Sequence, residues 1–546
     1  MPTASLGSAM TGDGTDQTNP ADATRGTGTG DATLDRALGR AWRDDLSWAL
    51  LTRLTEIEDR MGGHHGERRA AERVADALSR VGADPGIEAF PIQRWTRGRT
   101  ELTVHVPADG ANGAGDPGGT GDAADGSGPM DPLRREEPIE RAFEAVALPY
   151  SPAADVRAKL VDVGHGTPDE IEAADVSGAV VLARADSPPG ERHVHRAEKA
   201  GHAAAAGARA FVLANHVPGQ LPPTGALAFD TEAAIPGVGV SKETGAWLVE
   251  YADAGSGAED GSDEWEGDGD GPDDRVGDGG TDDGGGEDGG TGGAGGAEAC
   301  LHVEATTEAG ESRNVVGTVG PDTDEEVVVV AHHDAHDVGE GALDNGCGAA
   351  VLVGAARILA ALDAADGIGC RVRVASVGCE ELGLMGAAAL ADALDLDRVK
   401  GVVNVDGAGR FRDLRALTHG SDRLAGLVEG VADWAGQPVD VRGRPHPYSD
   451  HWPFLRAGVP ALQLHSRDPD ASGAWDRGWT HTRADTRDKA DPRTLREHAM
   501  LTALAVRALA ASERLGRIDP EDLRERLREV GAEPGMRAAG IWPGEW

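Results

Sequence analysis

From about residue 299 to residue 512 the chain alternates short, almost wholly apolar runs with stretches of helical periodicity, and this constrains its fold more than any other feature. EVVVVA (Glu326–Ala331), RVRVASVG (Arg371–Gly378), VKGVVNV (Val399–Val405) and PALQLHS (Pro460–Ser466) are too short and too β-branched to be helices. Continuous apolar runs of this length are strands covered on both faces. Between the first two, the segment from Asp344 through Leu362 reads as a helix with Asp344 near its N-cap. The repeat predicts an α/β fold, a mixed and mostly parallel sheet sandwiched by helices.

In open α/β sheets ligands bind beyond the carboxyl ends of the strands. Here the first strand runs into His332-His333-Asp334, the second into Cys379-Glu380-Glu381 and the third into Asp406. Asp344-Asn345 opens the helix after the first strand, and Trp479-Thr480-His481-Thr482, then Asp485, come late in the domain. Two imidazoles and three carboxylates are the mixed donors that a pair of divalent ions requires, with one carboxylate to bridge and an open position for water. A further carboxylate outside the ligand set can move the proton, and Glu380 and Glu381 can divide those duties. Singly, each residue has a plainer role. Asp344 would cap a helix, Asp406 would begin a turn, and Glu380-Glu381 would be a solvated strand end. Their convergence on one sheet edge outweighs those readings.

The ordered set HHD (His332–Asp334), LDNGCG (Leu343–Gly348), EELGLMG (Glu380–Gly386), VDG (Val405–Gly407), SDHWPF (Ser449–Phe454) and HTRADT (His481–Thr486) resembles the M28 metallopeptidase family. The resemblance implies a zinc-exopeptidase-like fold with two divalent metal ions, zinc being the ion expected. His332 and Asp406 would bind one ion, Glu381 and His481 the other, and Asp344 would bridge them. Glu380 would be the general base and then the acid, and Asp334 would orient His332. Ligand types alone leave cobalt and manganese open. Many relatives place a Tyr before the last histidine, where this chain has Thr480; Tyr448 is a candidate substitute. A slip of one residue in the first strand would turn His333 to the site instead, and His332 is preferred for its HxD spacing with Asp334. His336 lies close by without an assigned role. Asp450 and His451 are expected to support the site, and His64, His65, His193 and His195 fall away from the strand ends.

Ahead of this region, apolar positions at helical spacing (Leu46, Leu50, Leu54, Ile57; Val74, Ala77, Leu78, Val81) predict two amphipathic helices, followed by an extended stretch from Gly86 to Val106. Strand AVVLA (Ala179–Ala183), helical HRAEKAGHAAAAGAR and strand AFVLA (Ala210–Ala214) together resemble a protease-associated (PA) domain inserted into the peptidase. The expected division is a disordered N-terminus at 1–33, the first part of the peptidase domain at 34–107, and an acidic Gly-rich linker at 108–138. The PA-like β/α insert follows at 139–255, an acidic Gly-rich disordered insertion at 256–298, the catalytic domain at 299–512, and a C-terminal helix and tail at 513–546. GDGDGPDD in the second acidic run has Pro272 at a calcium-ligand position, which argues against an EF-hand loop.

With 94 Asp and Glu against 52 Lys and Arg, the net charge of -42 opposes binding to nucleic acid or anionic membranes. The balance resembles a salt-adapted, extreme-halophile composition. Without a basic or apolar leader or a run of about 20 apolar residues, the chain is expected to be cytoplasmic. Its four cysteines show no zinc-finger spacing. Peptides are the expected substrates, and oligomeric state is open. The leading reading is an aminopeptidase. A carboxypeptidase on the same site would need a cation such as Arg410 or Arg412 for the substrate carboxylate. A metal-free binding module would lack ligands that are all present here, and glutaminyl cyclase-like chemistry fits the complete two-metal set with Glu380 less well than hydrolysis.

Overall fold

The computed structural model describes residues 29–108, 137–253, 296–364, 367–469 and 478–546. The expected disordered N-terminus and the two Gly-rich acidic runs lie for the most part outside the described residues. The described residues form two compact units: those up to Arg94, within 309–533 and at 542–546 in one, and those within 95–308 and at 534–541 in the other. Composition placed the boundaries at the acidic runs, near 107 and 299. By contact the units divide at Arg94 and Glu308, within the long strands Gly86–Val106 and Glu298–Val319.

The first unit carries strands β1 (Glu298–Val319, from Ala309 onward), β2 (Glu326–His332), β3 (Arg371–Val377), β4 (Val399–Val405), β5 (Leu414–Leu417), β6 (Val439–Arg442) and β7 (Ala461–Ser466). They lie in the order β6-β5-β7-β4-β2-β3-β1. β2 is parallel to β3 and β4, and β4 to β7, while β1 and β5 run antiparallel to their neighbours β3 and β7. Every residue of β2 and β4 is buried, as strands covered on both faces require. The register sets His332 opposite Val377 and Val330 opposite Asn404, so the ends of β2, β3 and β4 emerge together.

Helices α1 (Thr29–Ala41), α2 (Leu46–Thr55) and α3 (His65–Val81) precede the sheet, three where the periodicity predicts two. All three pack on α4 (Cys347–Asp363), as does α5 (Pro492–Ala511). α4 is the central core helix, with Val351, Leu352, Val353, Ile358 and Leu359 each at most 1% exposed. Each such side chain contributes roughly 1.5–3 kcal/mol on burial. Gly354 permits the approach of two neighbours, since a Cβ there would lie 2.5 Å from Ser47 Oγ and 2.8 Å from Ala499 Cβ. The stretch 342–363 alone among the described residues is long and apolar enough to cross a membrane, and it is buried inside the unit.

Asp344 does not cap α4. The helix begins three residues later at Cys347, because Asp344 (φ -125°, ψ 92°) and Asn345 adopt non-helical backbone. Asn345 Oδ1 instead accepts from Gly348 N at 3.0 Å and provides the local capping bond.

In the second unit, strands Ala154–Asp162, Val180–Arg184, Ala210–Ala214 and Gly237–Val240 pair in parallel, in that order. Helices Pro168–Ala173, Arg196–Ala205 and Lys242–Asp253 connect or follow them. The first helix is fixed by a capping box in which Thr167 and Glu170 bond reciprocally to each other's backbone.

Candidate metal centre

At the end of β2, His332 is fully buried and its Nε2 lies 3.3 Å from Asp344 Oδ1, 3.6 Å from Asp406 Oδ1 and 4.0 Å from Glu380 Oε2. Its Nδ1 faces Asp334, 3.3 Å from both the carbonyl oxygen and Oδ1. The same Asp334 carboxylate accepts from the amides of Glu380 (3.1 Å) and Glu381 (3.2 Å), so one side chain orients an imidazole and anchors the loop after β3. His333 turns the other way to Ser376 Oγ at 3.1 Å, and burial holds its pKa down at about 4.

A second group gathers around Glu381. His481 Nε2 is 3.3 Å from Glu381 Oε2 and 3.2 Å from Asp344 Oδ2, so the two oxygens of Asp344 face different histidines. Asp344, whose peptide bond to Asn345 is cis, is held by Asp485, which accepts from the amides of Leu343 (2.7 Å) and Asp344 (3.1 Å). Asn345 Nδ2 donates to Val405 O at 2.9 Å, and its Oδ1 accepts from Gly407 N at 3.3 Å, tying this turn to the Asp406 loop. Ser449 Oγ donates to Asp406 Oδ2 at 2.6 Å and accepts from Asn404 Nδ2 at 2.6 Å, which gives the SDH motif its connection to the site.

Buried carboxylates dominate the electrostatics. Burial and the neighbouring charges of Glu381, Asp406 and Asp450 push Glu380 well above the carboxylic range. Burial opposes protonation of His332, yet Glu380, Asp334, Asp344 and Asp406 together outweigh it and raise its pKa. Glu381, despite its burial, is drawn well below its ordinary value by His336 and His481. Such a surplus of negative charge suits divalent cations.

The donor set fits them. His332 Nε2 and Glu381 Oε1 are buried without a hydrogen-bond partner. Ligand atoms bonded at about 2.0–2.2 Å around one tetrahedral zinc lie roughly 3.3–3.6 Å apart. The spacings from His332 to Asp344 and Asp406 are 3.3 and 3.6 Å, and those from His481 to Asp344 and Glu381 are 3.2 and 3.3 Å.

Three contributions were not legible in the sequence. His336 joins Glu381 and His481 in the second donor group. Arg60, 2% exposed, donates to the carbonyls of His333 (3.1 Å), Glu340 (2.8 Å) and Gly341 (2.6 Å), bracing the loops on either side of His336. Glu67, fully buried on α3, accepts from Gly63 N at 2.7 Å and from Ser312 Oγ. HxDxH spacing was the one available signal for His336; nothing local marks Arg60 or Glu67, whose roles depend on partners far along the chain. Elsewhere, His64 pairs with Asp59 at 2.9 Å, His195 caps its helix through Ala197 N, and His451 stacks on His419 with 4.2 Å between ring centroids. Arg412 pairs with Glu497 at 2.7 Å, while Arg410 lies over the rings of Phe411 (4.4 Å) and Trp479 (4.7 Å).

The family model for peptidase family M28 matches residues 314–506, the span that holds every candidate metal-ligand residue above, and the PA domain model matches residues 156–248. Residues 314–506 form a peptidase family M28 domain. It is 23% identical over 352 residues to aminopeptidase YwaD of Bacillus subtilis (strain 168), a match covering 62% of this chain and 64% of that protein, less than two thirds of its length. The solved aminopeptidase from Aneurinibacillus sp. strain AM-1 superposes with a TM-score of 0.57 at 22% identity, covering 87% of this chain and 96% of its own. A peptidase M28 precursor from Shewanella amazonensis SB2B gives 0.62 at 19% identity, covering 90% and 98%. These two structures establish the M28 fold, a mixed α/β sheet between helices, for this chain.

Proposed function

We propose that this M28 peptidase is a two-zinc aminopeptidase that releases N-terminal residues from peptides. The observation that carries the reading is the position of Asp344, one oxygen 3.3 Å from His332 Nε2 and the other 3.2 Å from His481 Nε2, as a bridging carboxylate would stand. His332 and Asp406 would hold one ion, Glu381 and His481 the other, with Asp344 between them. Bound there, the ions supply Lewis acidity toward water and the scissile carbonyl. Glu380 accepts the proton of the attacking water and returns it to the leaving amine, a role open to a carboxylate that lies outside the ligand set and 4.0 Å from His332 Nε2. Asp334 keeps His332 Nδ1 engaged and the amides of Glu380 and Glu381 in place. The names of YwaD and of the Aneurinibacillus enzyme support aminopeptidase polarity. A salt-adapted setting is part of this proposal on the strength of the acid-rich composition, and a cytoplasmic location is proposed with it.

The test is hydrolysis by the zinc-loaded full chain of peptides with a free amine, a blocked amine or an amidated carboxyl end. Cleavage should require the free amine and tolerate amidation, and cleavage that requires a free carboxylate would replace the reading with a carboxypeptidase. Glu380→Gln should lower kcat by about 10²- to 10⁴-fold while zinc still binds.

A further inference from the structure

We infer that His336 is a sixth metal ligand, giving the Glu381–His481 ion two imidazoles while the His332–Asp406 ion has one; the inference rests on the two-ion reading above. His336 is 5% exposed, its Nε2 lies 2.9 Å from Glu381 Oε2, and its ring meets that of His481 edge-on with 4.5 Å between centroids. His336, Glu381 and His481 each present one ligand atom, and these atoms all lie within 4.8 Å of one another. A void of about 10 Å³ is lined by His336, Asp344, Glu381 and His481 together with neighbouring loop residues. That is the space of a single small sphere, an ion or one water. The backbone is arranged to hold the imidazole there. Arg60 fixes the carbonyls of His333, Glu340 and Gly341 on both sides of it, and Arg60 O accepts from Ala335 N at 3.1 Å.

Chemically, the two sites then differ. Two imidazoles with Glu381 and Asp344 form the more nitrogen-rich set, which favours zinc. One imidazole with Asp344 and Asp406 is richer in oxygen and accommodates harder ions such as manganese. The first zinc equivalent should therefore fill the His336 side, and this ion should survive dialysis longer.

Zinc binding to the metal-free full chain, measured by chelator competition, separates the possibilities. The wild type should bind two zinc ions with affinities at least about tenfold apart, the scale on which a change of one metal-supporting group acts. His336→Gln should weaken the tighter ion by about tenfold or more and leave the weaker one. His332→Gln should do the reverse, and His336→Asp, which restores a donor, should recover part of the loss. Cobalt at one equivalent gives a visible spectrum that His336→Gln should change and His332→Gln should not. Two zinc ions whose affinities both stay within about threefold in His336→Gln would overturn the inference and leave the two-ion reading intact, assigning His336 to a hydrogen bond with Glu381. A wild type that binds one ion fails the two-ion reading, and His336 stands or falls by whether its variant loses that ion. No zinc binding at all overturns both. Thermal unfolding of the metal-free variants identifies a merely structural role, which would lower stability without zinc as much as with it.

Discussion

Asp334 carries more of the site than its place outside the ligand set suggests. It faces His332 Nδ1 at 3.3 Å and accepts from two amides of the Glu380–Glu381 loop, so its oxygens serve both donor groups. Asp334→Asn keeps the shape but places an amide nitrogen against one of those donors. Zinc affinity should fall by about 10- to 100-fold, read by chelator competition, with kcat/KM at saturating zinc falling less. A second residue-scale prediction concerns Glu67. Burial, helped by the charge of Asp334, raises its pKa from an ordinary 4.5 to about 8. The folded state thus holds this proton more tightly than the unfolded chain. Its contribution is fully present below pH 4.5 and is lost as pH rises toward 8, because only the unfolded chain releases the proton in that window. Glu67→Gln, whose amide can occupy the same contacts, should gain stability relative to wild type as pH increases across that window. Denaturant unfolding of the metal-free pair at pH 5 and pH 8 measures the difference, and a constant gap would refute it.

At the scale of elements, the turn between Gly341 and α4 positions Asp344, and it is packed too tightly for change. A Cβ on Gly348 would collide with Asn345 Oδ1 and lie 2.5 Å from Val405 O. Gly348→Ala should therefore break the bonds by which Asn345 links Gly348, Gly407 and Val405. Each buried polar group left unsatisfied costs about 1–3 kcal/mol, so thermal stability and zinc affinity should both drop. Gly426, in the helix Asp422–Ala435 with open space where a Cβ would stand, is the control. Gly426→Ala should stabilise by about 0.5–1 kcal/mol. The same turn marks the limit of what the sequence reveals. Apolar runs gave the strands within a residue or so, because β2 and β4 are buried on both faces and carry no competing pattern. The parallel register then brings His332, Glu380, Glu381 and Asp406 together, as the strand ends predicted. Local pattern alone starts the helix at Asp344, because Asp is a good N-cap. Its backbone is instead set by Asp485, 141 residues away, a contact that no local pattern encodes. His336 and Arg60 escaped for the same reason, since their partners lie 45 and more than 270 residues along the chain.

Over the whole molecule, charge is the dominant variable. A net charge of -42 on one chain makes compact folding compete with self-repulsion, which salt relieves. The screening length is about 10 Å at 0.1 M and about 3 Å at 1 M. Surface ion pairs such as Arg53–Glu56 and Arg68–Glu72 weaken over the same range, but each contributes at most about 1 kcal/mol, and acids outnumber bases by 94 to 52. Repulsion therefore wins, and the unfolding temperature of the metal-free chain should climb steeply between about 0.05 and 1 M KCl. Beyond about 1 M, relief of repulsion is nearly complete, so any continuing rise must come from exclusion of salt from the surface, which sulfate produces more strongly than chloride. Matched titrations with KCl and potassium sulfate at equal ionic strength separate the two. Curves that coincide at low ionic strength and diverge only above it identify charge repulsion as the term that salt removes. A chloride curve that is flat below 1 M would mean that the acidic surface costs the fold nothing.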